Sequence, residues 1–164
     1  MIREIKERFP VVLGFIKSGQ SSLIDYLNCK KNEVAWRSDA LDIYERCYDI
    51  EKHFPVFILR NSVDRCWSQY WYFKYNQKYT YSEFLDIEGV DGHGIKNPIE
   101  QCNYFKFIEK FKQHNPIILR LEDMQMISNF PIINKREHSV ISEAFRRLTI
   151  RKLLNNNIRH GYQL

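Results

Sequence analysis

The segment Gly14-Phe-Ile-Lys-Ser-Gly19-Gln20-Ser21 keeps the spacing G-x-x-x-x-G-K-[ST] of a phosphate-binding loop at every defined position but one, where Gln20 stands in place of the lysine. Such a loop lets backbone approach an anion closely at its glycines. The N–H groups that open the following helix then bind the anion, aided by the helix dipole. Lys17 adds a mobile positive charge inside the loop, and Ser18, Ser21 and Ser22 add hydroxyl donors. A tight strand-to-helix turn with ordinary serines would use the same residue types. The full spacing, its place directly after an apolar run and the extra lysine favour a phosphate-bearing nucleotide.

These residues need a strand before them and a helix after them. Pro10-Val-Val-Leu-Gly14 reads as a buried strand, and Leu23, Ile24 and Leu27 follow at helical spacing, so a helix begins near Gln20–Ser22. Asn28–Asn32 is a polar break, Val34–Trp36 a second strand and Ala40–Glu51 a second helix. Phe54–Leu59 is the clearest buried strand. Val63, Cys66, Trp67 and Tyr70 then line one helix face, with Asp64 favouring its first turn.

Tyr81–Leu85 forms a short helix, and Glu88–Asn97, with three glycines, a loop. Pro98 suits the start of a helix with Tyr104, Phe107, Ile108 and Phe111 as its stripe. Pro116–Leu119 is a further strand and Met124–Lys135 is irregular. Ile141, Ala144, Phe145 and Leu148 open a final helix that fades at Asn155–Asn157. Strands alternating with helices predict an α/β fold, with a mainly parallel sheet flanked by helices in three layers. Nothing in residues 1–164 marks a linker, so one compact domain is expected.

Composition agrees with a globular chain. Of the 164 residues 44% are hydrophobic and 15% aromatic, and three Trp with 21 Phe and Tyr exclude a disordered segment. The net charge of +5 suits an anionic partner, though solubility alone explains it equally well. Cys29, Cys47, Cys66 and Cys102 are too widely spaced for a CxxC motif. Cys66 and Cys102 fall in apolar stripes and are expected as buried free thiols. The charged segment Met1–Phe9 does not read as a signal peptide, and no apolar run approaches the roughly 18–20 residues that span a bilayer. A cytoplasmic location and no membrane partner are expected.

Two segments carry a family resemblance. Leu13-Gly-Phe-Ile-Lys17-Ser18-Gly19-Gln20-Ser21-Ser22-Leu23 resembles the 5′-phosphosulfate loop of sulfotransferases that use 3′-phosphoadenosine 5′-phosphosulfate (PAPS), roughly K-S-G-T-T-x-L. Arg60-Asn-Ser-Val-Asp-Arg-Cys-Trp-Ser68-Gln-Tyr70 is similar to their 3′-phosphate motif, roughly R-N-P-x-[DE]-R-x-x-S-x-Y. Leu121-Glu122-Asp123-Met124 is similar to their strand ending in E-D-[LM], and the final helix resembles theirs. The likeness runs through most of the chain in order. It departs at Gln20 and Ser21 for Thr-Thr, Ser62 for Pro, Leu121 for Tyr and Ser22 for an adenine-side Trp. The C-terminal R-K-G-x-x-G segment of cytosolic members is absent.

The resemblance implies the phosphate-loop-like sulfotransferase fold and transfer of a sulfuryl group from PAPS to a hydroxyl or amine, with adenosine 3′,5′-bisphosphate (PAP) leaving and no metal required. Lys17 would be catalytic, stabilising charge on the departing phosphate oxygen. Lys17, Ser18, Gly19, Gln20, Ser21 and Ser22 would hold the 5′ side, and Arg60 and Ser68 the 3′-phosphate. Arg60 suits that role through its planar fork; taken alone it reads rather as an ion-pair partner of Asp64, and the motif around it favours phosphate.

Asp39 occupies the place of the family's general base and reads equally as a helix N-cap, with Glu33 in reserve. His53 precedes a strand and falls at the wrong end of the sheet. Lys135 and Arg136 stand where family members close over the nucleotide, and also read as a solvated basic pair. His93 is a loop histidine that could line an acceptor site. Phe15, Trp36 and Trp67 are open both as base-stacking and as core residues. The acceptor, a sugar, a lipid, another small molecule or a protein, is open; nucleic acid is not expected. The competing functions are a divergent phosphate-loop kinase and a non-catalytic nucleotide-binding protein on a related fold.

Overall fold

The computed structural model describes residues 8–15, 17–32, 40–88, 97–131 and 140–159. Among the described residues, four parallel strands form one sheet: β1 (Phe9–Leu13), β2 (Lys30–Asn32), β3 (His53–Leu59) and β4 (Ile117–Arg120), in the spatial order β2-β1-β3-β4. β1 lies beside β3 with Leu13 opposite Phe57, and β3 lies beside β4 with Leu59 opposite Arg120. The expected α/β class with a parallel sheet is present.

The chain divides into two units. One comprises Met1–Arg60 with Phe105–Ile133 and holds the sheet; the other comprises Asn61–Tyr104 with Asn134–Leu164. In the first unit the period of two along the strands sorts side chains onto two faces. Val12, Val56 and Ile58 meet Leu23 and Ile24 of α1 (Gln20–Leu27) together with Leu121 and Met124, on one apolar face. Phe57 faces the other way. Its ring lies 5.2 Å from that of Phe111, which in turn lies 5.7 Å from Tyr44 of α2 (Ala40–Cys47). Helical segments thus cover both faces of the sheet.

The second unit is built on α3 (Ser62–Tyr72), capped by the Asn61 side chain, which accepts from the N–H groups of Val63 and Asp64. The expected face of Val63, Cys66, Trp67 and Tyr70 is buried, and so are Arg65, Ser68 and Gln69. α4 (Tyr81–Leu85) coincides with the expected helix because Thr80 and Glu83 close a capping box. Tyr81 joins the aromatic cluster: its ring lies 5.0 Å from Trp67 and 5.2 Å from Phe145. Its hydroxyl meets Thr149 Oγ1 at 2.9 Å.

Four expectations about elements are corrected. The polar break Asn28–Asn32 contains β2, paired with Val11–Leu13. An edge strand needs only backbone pairing on one side, so polar side chains are no bar, and Asn28 in the left-handed region turns the chain into it. The expected strand Val34–Trp36 lies outside the described residues. α2 stops at Cys47 rather than Glu51, because Asp49 accepts the Glu51 N–H and forms a turn.

The single helix expected from Pro98 is broken. A 3₁₀ turn at Glu100–Cys102 precedes α5 (Tyr104–Ile108), and a second 3₁₀ segment runs over Glu109–His114. Asn97 caps the first piece through Ile99 and Glu100 N–H groups, and non-helical Asn103 interrupts it. After α6 (Leu121–Met124), the last helix α7 (Glu143–Arg159) continues through Asn155–Asn157, where fading was expected. Ala144 and Phe145 are exposed on α7, and Thr149 is buried instead.

Candidate functional site

β1 leads through α1 to β2 on one side of the sheet, whereas the chain leaving β3 reaches β4 on the other side. The C-terminal ends of β1 and β3 therefore flank a topological switch point, the place where open parallel sheets bind ligands. The loop after β1 carries Lys17, and Arg60 directly follows β3. Two residues 43 positions apart in sequence meet here: Arg60 Nη1 donates to the Lys17 carbonyl oxygen at 3.1 Å.

The loop has a defined geometry. Lys17 (φ 61°) and Gly19 (φ 97°) both adopt left-handed conformations, and Gly19 is the N-cap of α1. Ser18 is fully buried. Its hydroxyl donates to the Phe15 carbonyl at 2.7 Å and its N–H to the same oxygen at 3.1 Å, so this side chain braces the turn from within. The Leu23 N–H to Gly19 oxygen bond begins the helical ladder, so the amides of Gln20, Ser21 and Ser22 belong to the first turn of α1. Ser21 is exposed, Gln20 half-buried and Ser22 buried.

A methyl group at either glycine would meet a neighbouring side chain. A Cβ on Gly14 would lie 1.8 Å from Cδ of Gln20, and one on Gly19 would lie 2.6 Å from Leu121 Cδ1. Gln20, standing where a phosphate loop has lysine, therefore folds back over Gly14. Leu121 packs against Gly19. The Leu121 contact depends on β4 and could not be read from the loop's own sequence.

The electrostatics favour an anion. Burial, and then the neighbouring Arg60 charge, hold the Lys17 ammonium below its ordinary pKa of 10.5. Two cationic side chains held together in partly desolvated surroundings gain from a negative ligand. The glycines and the helix start also fit a phosphate group held by backbone.

The remaining predicted residues are placed as follows. Ser68 is buried on α3, in the second unit. Asp39, Glu33, Lys135, Arg136, His93 and Trp36 lie outside the described residues. Phe15 is a core residue, its ring 6.0 Å from Phe57 and 5.7 Å from Phe107. Trp67 belongs to the aromatic cluster of α3. His53 opens β3 opposite Phe9, at the far end of the strands from Lys17, as its place in the sequence implied. Arg146 Nη2 lies 3.7 Å from Asp64 Oδ1.

Among the described residues, no helix is long and apolar enough to cross a membrane. The chain matches no protein-family model, no curated protein and no solved structure.

Proposed function

We propose that this protein is a sulfotransferase that moves a sulfuryl group from PAPS to a hydroxyl or amine acceptor, on a fold of the phosphate-loop sulfotransferase type. The observation that carries this reading is the meeting of Lys17 and Arg60 at the switch point between β1 and β3. Those two residues belong to the two segments that resemble the family's separate phosphate motifs, and Arg60 donates to the Lys17 carbonyl.

In this reading the first-turn amides at Gln20–Ser22 and the Lys17 ammonium hold the 5′ side of the nucleotide, and Arg60 binds the terminal 3′-phosphate. PAPS supplies the activated sulfuryl group. Lys17 stabilises the charge that develops on the departing phosphate oxygen, which is greater in the transition state than in the ground state. Asp39 is the proposed acceptor base, and Lys135 and Arg136 the proposed closing residues.

Calorimetric titration of PAP without Mg²⁺, beside AMP and ATP, tests the donor site. Selective binding of the bisphosphate, weakened by Lys17→Ala, is expected, followed by label transfer from ³⁵S-PAPS to an acceptor panel. Binding without transfer reduces the protein to a nucleotide-binding module. Preference for Mg²⁺-ATP would assign it to the kinases and refute the proposal.

A further inference from the structure

Arg65 is fully buried on α3, and its guanidinium is held in a cage of soft and neutral groups. Nη1 donates to Gln69 Oε1 at 2.9 Å and to Gln101 Oε1 at 3.3 Å. Nη2 donates to the Pro98 carbonyl at 2.5 Å and to Cys102 Sγ at 2.9 Å, with Cys66 Sγ at 3.7 Å. The two sulfurs are 3.5 Å apart, and both cysteines are free thiols. A buried guanidinium is costly without a counter-charge. Cys102 Sγ, 2.9 Å from Nη2, can supply one as a thiolate.

We propose that Cys66 and Cys102 are a redox-active dithiol that hydrogen peroxide converts reversibly to a disulfide, with Cys102 as the attacking sulfur and Cys66 as the resolving one. Cys102 is the half-buried member of the pair, while Cys66 is fully enclosed. A disulfide requires an S–S length of about 2.05 Å, so the sulfurs close by about 1.5 Å, and they belong to one packed unit. The assignment is independent of the nucleotide site.

The chemistry balances in two steps. The Cys102 thiolate attacks one peroxide oxygen; the S–O bond forms, the O–O bond breaks and hydroxide leaves. The sulfur is now a neutral sulfenic acid. Cys66 then attacks Cys102 Sγ; the S–S bond forms, the S–O bond breaks, and the Cys66 proton leaves with the hydroxyl as water. Two electrons pass from the sulfur pair to peroxide. Arg65 assists each step in turn. It first stabilises the Cys102 anion; once that anion is consumed, it favours ionisation of Cys66, whose proton the neighbouring thiolate had retained.

The reduced full-length protein is treated with a small excess of hydrogen peroxide, remaining thiols are blocked in acid, and the digest is mapped by mass spectrometry. The expected product is a peptide pair joined through Cys66 and Cys102, with two of the four thiols lost and restored by a dithiol reductant. With Cys66→Ser, Cys102 is expected to accumulate as a dimedone-reactive sulfenic acid. With Cys102→Ser, oxidation of Cys66 slows by about tenfold or more. Oxidation confined to Cys47 or Cys29 while Cys66 and Cys102 stay thiols overturns the proposal. So does a Cys102 sulfenic acid that persists in the unaltered chain.

Discussion

Arg60 Nη1 lies 3.1 Å from the carbonyl oxygen of Lys17, a bond that ties the end of β3 to the loop after β1. It sets a guanidinium beside an ammonium whose charge is already disfavoured by burial and by Arg60 itself. Folding gains a fixed loop from this arrangement and sets two like charges near each other.

Replacing Arg60 should therefore affect binding more than folding. Arg60→Ala is expected to weaken PAP roughly 10- to 100-fold in calorimetric titration, the size of one lost charge-assisted bond. Arg60→Lys keeps the charge without the planar fork and should fall between the two. Unchanged affinity in both variants would remove Arg60 from the site.

Anion binding should also change the ionisation of Lys17. In the free protein its pKa lies below 10.5, so part of the population is neutral at alkaline pH. A bound anion favours the ammonium and draws a proton from solvent. Titration of PAP at alkaline pH in buffers of different ionisation enthalpy should show net proton uptake, and Lys17→Met should abolish it.

The two loop glycines should respond differently to a methyl group. Gly19→Ala meets Leu121 and a φ of 97°, so a loss on the order of 2–4 kcal/mol is expected, only partly relieved by Leu121→Ala. Gly14→Ala meets only the Gln20 amide, which is flexible. A loss of about 1–2 kcal/mol is expected, removed in the double variant with Gln20→Ala. Urea unfolding of the single and double variants checks both.

Stability should rise with pH between about 6 and 9 on account of Cys102. Burial opposes its anion, but the hydrogen bond from Cys66 and the charge of Arg65 bring its pKa from 9.0 down to about 6. A depressed folded-state value adds stability that is complete above 9 and lost as the pH falls through 6. Cys66 and Tyr104, whose values are raised, act in the opposite sense only at higher pH. Denaturation midpoints across this window should climb by at most a few kcal/mol in the reduced protein, and the climb should flatten in Cys102→Ser.

Thr149 accepts from Tyr81 and donates to the Phe145 carbonyl at 2.8 Å. Tyr81→Phe leaves Thr149 satisfied and should cost about 1 kcal/mol. Thr149→Val strands the buried Tyr81 hydroxyl and should cost about 2 kcal/mol, again by urea unfolding.

Local patterns made much of this legible. Apolar runs marked β1, β3 and β4, the Thr80–Glu83 box marked α4, and loop spacing marked Lys17 and Gly19. The polar β2 was hidden because an edge strand is held by backbone pairing, which leaves no trace in residue type. Thr149 was hidden because a threonine with two internal bonds packs like an apolar residue. Arg65 was visible only as part of a phosphate motif. Its burial depends on Cys102, 37 residues away, and on the Pro98 carbonyl, and no short window contains them. The contact of Gly19 with Leu121 spans a still longer interval.

The division of the chain into two interleaved segments bears on how the protein is made. β1, β2 and β3 leave the ribosome early, but β4 and the residues that seal the sheet's apolar face at Leu121 and Met124 emerge only after Asn61–Tyr104 has been synthesised. That intervening stretch in turn awaits α7, which follows β4 in the sequence, to supply Thr149. Neither half can reach its final packing during translation until the other has been partly produced, so products truncated within this chain should expose apolar strands and depend on chaperones more than ones that contain both units.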